Sequence, residues 1–490
     1  MSKPQIIILT LFTLFLLLFF KDAVFSYFSQ DDFYHLRTIM DKSWSDIPSF
    51  FTTWEEGQTF YRPLSREIYN LVMYKVFQLN SLPYHLVNLG LIVIIGWLVF
   101  KLAKKLTANL GIALLALFFY TASSIHSVEL YYLPSVQTLL ASLFLLLAVL
   151  IFLDFTKKPS WQNIFFVATL FVMALLSHSM AIIGLPILAI IGFLNTKQLD
   201  WWKNKKIIVL FLILLLTDIL YIINTSLMQL PSQQVYQPVF SIKTMLNTLM
   251  WYVGWCFGLP EMLVDFIGPG LRYNPNLIKW YGGYLRIIIP TLSFILFFLA
   301  SIIIRFRQSL WQNKVFWGSA VLFVISLAPF LPFPQHKFVY YLSLPLVWFA
   351  ICLACVLSHA LDSRLTKIGL TLFLIATLLI SFQTTNLNKI TYWAAKRAAA
   401  AKFLLSDIKQ KYPAVSKGSV FYIQNDPAYP EIAKEWGTSS KQASYILSGA
   451  DALKLLYKDS EIKAYFENVN PINEKLKGEK YLEFQAAFPL

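Results

Sequence analysis

The apolar run PQIIILTLFTLFLLLFF (residues 4–20) is followed closely by Ser29-Gln30-Asp31-Asp32-Phe33-Tyr34-His35-Leu36-Arg37, and this juxtaposition decides the fold class. A run of this length reaches the roughly 17–25 residues that span hydrocarbon. Its apolar stretch is long and no small-residue cleavage site follows, so it reads as an uncleaved anchor rather than a secretory signal. Two adjacent carboxylates, a histidine and an arginine then cluster immediately beyond the membrane. Few other stretches of the chain hold so many ionisable groups so close to an apolar run.

The rest of the chain repeats the apolar theme. Of its 490 residues 57% are hydrophobic and only 14% are charged, against about 25% charged in soluble domains; the mean hydropathy is +0.59. These values describe an α-helical polytopic membrane protein. The net charge of +15 falls largely in short loops between apolar runs, where it sets topology, so nucleic acid is not the expected partner. Cys352 and Cys355 form a C-x-x-C inside an apolar helix, which reads as small packing residues rather than a redox pair.

Charge bias places the N-terminus in the cytoplasm, next to Lys3, and predicts about eleven spans with the C-terminus outside. A first outer loop covers 22–83. Within it Asp32 to Lys42 forms an amphipathic helix that starts at a Ser29-x-x-Asp32 capping box, and Pro63 opens a second helix to about Phe77. Lys101, Lys104, Lys105, Lys157, Lys158 and the stretch Lys197–Lys206 mark inner loops. His126 to Pro134 reads as a brief outer turn, and Ser177-His178-Ser179 as another. Tyr236 to Gly283, broken by proline and glycine, reads as an outer interfacial or re-entrant segment. Residues 1–387 therefore form the transmembrane domain. Residues 388–490, polar and mixed in charge, form a small extracytoplasmic α/β domain, with a helix over Tyr392–Lys411, a strand over Ser419–Ile423, a helix over Ala450–Tyr457 and a closing strand over Tyr481–Phe484.

Five of the six histidines, His35, His85, His126, His178 and His336, fall on the outer side of this topology beside Asp31, Asp32, Glu129, Arg62 and Arg66. Polar groups at membrane depth are costly and tend to line cavities, so one outer cavity is expected. Asp31 and Asp32 suit either a helix N-terminus or a general base, because desolvation raises a carboxyl pKa toward working pH. Arg62 and Arg66, joined by His336 and Lys337, suit an anion site or headgroup anchoring. His85 and Asn88, like His126 and Glu129, lie at i, i+3 on one helix face. Two acids with a histidine form a ligand set that a divalent cation can use, though the spacing does not specify one. There is no P-loop, G-x-S-x-G, H-E-x-x-H or strand-linked G-x-G-x-x-G, so a donor already activated and lodged in lipid fits better than a nucleotide.

The order of Asp31-Asp32 after the first span, Tyr61-Arg62-Pro63-Leu64, His85-Leu86-Val87-Asn88, Ile125-His126-Ser127-Val128-Glu129 and Gln335-His336-Lys337-Phe338-Val339-Tyr340-Tyr341-Leu342 resembles the GT-C superfamily of membrane glycosyltransferases. The nearest likeness is to protein O-mannosyltransferase-like and aminoarabinose-transferase-like members, over about residues 1–385. The late motif carries Lys337 where those families usually carry arginine. The resemblance implies a GT-C-like fold in the cell membrane and a polyprenyl-phosphate-linked sugar as donor. It also implies a glycan, lipid or protein hydroxyl as acceptor, and inverting transfer. Asp32, whose direction the helix it starts would fix, would be the base, with Asp31 the close alternative; Arg62, Arg66, His336 and Lys337 would hold the phosphate; His35, His85, Asn88, His126, Glu129 and Tyr340 would contact substrate. Two other classes share these features: a transporter or flippase of lipid-linked saccharides, and an inactive scaffold of the same fold.

Overall fold

The computed structural model describes residues 3–52, 60–195, 203–226, 236–268, 272–361, 364–429, 437–470, 478 and 480–487. The expected basic stretch from Lys197 lies outside them as far as residue 202. Among the described residues five helices are long and apolar enough to cross a membrane: Leu82–Thr107, Leu133–Phe155, Lys205–Ser226, Asn276–Arg305 and Arg364–Thr391. A sixth is the bent pair Leu110–Thr121 and Ile125–Tyr131, which meet at 47°.

Among the described residues, apolar helices stand at the eleven expected positions, and these five helices and the bent pair are the ones that reach spanning length. Five further apolar helices occupy the remaining expected positions, but each runs only 10–17 residues over its described part. At 1.5 Å per residue, a helix of about 14 residues covers roughly 21 Å of a hydrocarbon layer about 30 Å thick. Polar residues cause several of the breaks. His178 turns extended and ends Trp161–Ser177, and its ring accepts the Met180 N–H at 3.0 Å to start the next helical turn. Asn313 caps Lys314–Leu327 by accepting from the backbone of Val315 and Phe316. A tight turn over Val339–Leu342 leaves only Pro345–Leu357 as regular α-helix. The Tyr236–Gly283 stretch holds a helix at Ile242–Cys256, followed by a turn at Gly258 whose φ of 90° favours glycine.

The helices share one large core, in which Ile92, Tyr120, Phe152, Tyr252 and Trp348 are fully buried. The peripheral helices keep apolar side chains outward, such as Leu212, Phe297 and Leu372, as lipid-facing positions require.

Both predicted outer-loop helices are present. The first spans Gln30–Ile39. The second opens at Pro63 as a wide π-turn over Pro63–Ile68 and continues as an α-helix over Tyr69–Phe77. The C-terminal domain is a three-stranded sheet, β1 (Val420–Asn425), β2 (Lys463–Phe466) and β3 (Tyr481–Ala486), in the order β2-β1-β3 and all parallel. Helices Trp393–Lys411, Ser439–Ile446 and Asp451–Tyr457 pack with it. Sequence reading finds neither β2 nor the Ser439–Ile446 helix.

The outer loop and the C-terminal domain are one body. A second core joins Phe28, Phe33, Leu36 and Ile39 of the loop to Leu404, Leu405 and Ile408 of the long helix and to Phe421 and Ile423 of β1. Arg37 adds an ion pair with Asp451 at 3.5 Å. Truncating Leu404, fully buried in this core, to alanine should cost about 2–5 kcal/mol, read as a lowered unfolding midpoint. Hydrogen exchange should accelerate in Gln30–Ile39 together with the C-terminal helices. Acceleration confined to residues after 392 would show that the two parts do not share a core.

Candidate active site

The two carboxylates diverge. Ser29 is extended, with φ −133° and ψ 156°, and begins the helix. Its N–H donates to Asp32 Oδ2 at 2.6 Å and its hydroxyl to the same oxygen at 3.3 Å. Asp32 is thus the capping-box acid, 4% exposed, and its Oδ1 has no hydrogen-bond partner. It faces the buried ring of Tyr84 and the Tyr69 phenol. Asp31 turns the other way: its Oδ2 accepts from Tyr132 OH at 2.9 Å. Burial pushes both carboxyls up from the ordinary range. For Asp31 the Tyr132 hydrogen bond and the Arg397 charge pull back; for Asp32 the Ser29 backbone bond opposes burial, yet the group stays well above its usual value.

Arg62 is the centre of the basic side. It immediately precedes the π-turn, donates from Nη1 to Gln137 Oε1 at 2.5 Å and stacks 4.5 Å from the Phe60 ring centroid. Its Nε is buried without a partner among the described residues. The turn itself is fixed by Ser65, whose hydroxyl donates to the Ser177 carbonyl, and by Tyr221, which donates to the Tyr61 carbonyl at 3.1 Å. Arg66, expected in the same anion site, instead places its guanidinium on Glu67. His35 and His336 lie in the field of Arg62. Burial first, then the charges of Arg66 and Arg62, holds His35 down at about 3; burial and Arg62 hold His336 at about 4. Both rings are therefore neutral near pH 7. His336 pairs through Nε2 with Tyr341 OH at 2.9 Å and lies 4.4 Å from the Tyr236 ring. Lys337 turns aside, donating to the Pro334 carbonyl at 2.5 Å and facing Asp265.

Aromatic rings bridge the acidic and basic sides. Tyr132 lies 4.8 Å from Tyr340, and Tyr340 lies 4.6 Å from Tyr341. Tyr236 feels the charges of both Asp31 and Arg62. The structure thus gathers Asp31, His35, Arg62, His178, His336 and Tyr340 around one region.

His85, Asn88, His126 and Glu129 do not join it. They are fully buried and bond to the fold itself. His126 Nδ1 meets Glu129 Oε2 at 2.7 Å while its Nε2 faces the Tyr120 carbonyl at 2.7 Å. Ser343 donates to Glu129 Oε1 at 2.5 Å. Asn88 donates to the Glu129 and Leu133 carbonyls, and His85 Nδ1 lies 2.8 Å from the Leu130 carbonyl. These groups hold the bent helix pair in place, so the expected outer turn at His126–Pro134 begins as a buried helix. The expected single cavity with five histidines therefore reduces to three histidines around Arg62. A cavity of about 300 Å³ lies elsewhere, between Phe15, Phe19, Lys21 and Phe382. Among the described residues no group of three His, Cys, Asp or Glu side chains is placed to hold a metal ion.

Tyr132, Gln137 and Arg397, near the site, escape sequence reading, and Tyr341 enters it only within the late motif. The doubled tyrosines Tyr131-Tyr132 and Tyr340-Tyr341 were the available signal for the two tyrosines. No known protein-family model matches the chain, and no curated protein matches it either.

Glu261 accepts the Val339 N–H at 2.7 Å and so anchors the late motif. Burial, helped by Asp265, raises its carboxyl to about 8 despite that bond. The folded protein keeps the proton to about pH 8, whereas the unfolded chain loses it near 4.5. Stability from this group is full below 4.5 and falls as pH rises to 8. Glu261→Gln should flatten that part of the stability curve, read as the unfolding midpoint between pH 6.5 and 8.5. An equal slope in both proteins would contradict the assignment.

Proposed function

We propose that the chain is a GT-C-like glycosyltransferase of the cell membrane, moving a sugar from a polyprenyl-phosphate donor to an acceptor hydroxyl at the outer face. The N-terminus would then be cytoplasmic and the C-terminal domain outside. The observation that carries this reading is that a desolvated carboxylate, Asp31, and Arg62, whose Nε has no partner among the described residues, flank one patch of tyrosines and both act on Tyr236.

In this reading the acceptor hydroxyl attacks the anomeric carbon, its proton passes to Asp31, and the bond from that carbon to the phosphate oxygen breaks. The electron pair leaves with the phosphate, whose charge Arg62 stabilises. Attack from the side opposite the leaving group inverts the anomeric centre. Burial serves the base by raising its proton affinity toward neutral pH. The neutral His336 and the hydroxyls of Tyr340 and Tyr341 offer hydrogen bonds to sugar hydroxyls without adding charge. Asp31 is preferred over Asp32 because Asp32 is engaged by Ser29.

Purified protein in liposomes, supplied with a labelled polyprenyl-phosphate sugar and a glycan acceptor, tests the proposal. Asp31→Asn should lower transfer about 10²–10⁴-fold, the usual range for loss of a general base, and Asp32→Asn should lower it less while lowering the unfolding midpoint. Full activity in Asp31→Asn would overturn the base assignment. Movement of intact donor between leaflets without bond cleavage would favour a transporter.

A further inference from the structure

Arg397 lies on the C-terminal helix Trp393–Lys411, distant in sequence from the outer loop. Its Nη1 donates to Gln30 Oε1, on the residue just before Asp31. The guanidinium is held between two rings, 5.1 Å from Trp393 and 5.6 Å from Tyr445, a stacking that suits arginine better than lysine. Trp393 in turn packs edge-on against Tyr132 at 5.3 Å, and Tyr132 donates to Asp31. Both polar neighbours of the Asp31 carboxylate therefore depend on the seating of the C-terminal domain, Arg397 directly and Tyr132 through Trp393. The shared core provides that seating, and the partly exposed Arg37–Asp451 ion pair adds little to it.

We propose that the C-terminal domain completes the site, with Arg397 as a positioning residue that grips Gln30, keeps the Asp31 carboxylate on Tyr132 and supplies the compensating positive charge. This rests on Asp31 being the working carboxylate. The groups facing Asp31 are Asp32 on its own helix, Tyr132, Tyr236, Tyr392 and Arg397. Arg397 is the one cation among them, so its removal leaves burial unopposed by charge. A sugar acceptor would approach Asp31 along a wall made of Tyr132, Trp393 and Arg397, and domain seating would be felt at the base itself.

The test is isotope-edited infrared titration of the full chain in lipid nanodiscs with ¹³C-labelled aspartate, the Asp31 band being identified by its loss in Asp31→Asn. In Arg397→Gln the Asp31 midpoint should rise by about one pH unit, the lower end of the range for losing an opposite charge. Arg397→Lys should restore part of the shift. Arg37→Gln, which cuts the outer ion pair without touching the site, should leave the midpoint in place. Gln30→Leu removes the same grip from the loop side and carries the test if Arg397→Gln does not fold; its midpoint should rise too. An unchanged Asp31 midpoint in either folded variant would overturn the proposal. The titration does not depend on turnover, so absence of sugar transfer would count against the transferase reading alone.

Discussion

The reciprocal bonding of Ser29 and Asp32 is the constraint on which the candidate site depends. A helix start leaves backbone N–H groups unsatisfied, and here Asp32 takes one from Ser29 at 2.6 Å. Such caps contribute about 0.5–2 kcal/mol, a modest energy with a large geometric effect. With Asp32 fixed, the helical rotation of about 100° per residue sends Asp31 in another direction, onto Tyr132. Adjacent carboxylates thereby acquire different tasks from one local turn. One carboxylate holds the helix while its neighbour faces the tyrosines and the arginine.

The cost of burying charge explains how the rest is distributed. An unpaired ion out of water is strongly disfavoured, so buried charges are paired or lose their charge. Arg66 is matched by Glu67, and Lys337 by a carbonyl and Asp265. His35 and His336 remain neutral. Arg62 has a neutral amide partner in Gln137, a ring beneath it and a donor left over. In the proposed reading it is the cation that would receive a ligand anion, and the surrounding tyrosines would keep that anion in a partly desolvated setting.

Much of this was legible in the sequence, for physical reasons that differ from element to element. The Gln30–Ile39 helix followed from its capping box and apolar face, and the second loop helix from Pro63. Strand β1 is a run of β-branched and aromatic residues, Val420-Phe421-Tyr422-Ile423, whereas β2 is only four residues long and begins with a lysine. Composition registers apolar length but not the places where His178 or the Val339–Leu342 turn interrupts a helix, so several expected spans are short helices among the described residues. The histidines were equally ambiguous, since i, i+3 spacing is the same for a ring in an open cavity and for one closed onto a carbonyl, as His85 is on Leu130. Arg397 was hidden by its setting. Among alanines and lysines it resembles a solvated helix face, and its role rests on a contact with Gln30 that is 367 residues away.

A cryo-electron microscopy structure in lipid nanodiscs with a non-transferable polyprenyl-phosphate sugar analogue would test the central claim most directly. The account predicts phosphate density against the Arg62 guanidinium, with the sugar ring between it and the Asp31 carboxylate along Tyr132 and Tyr340. Phosphate bound away from Arg62, or an Asp31 side chain turned from the sugar, would contradict it.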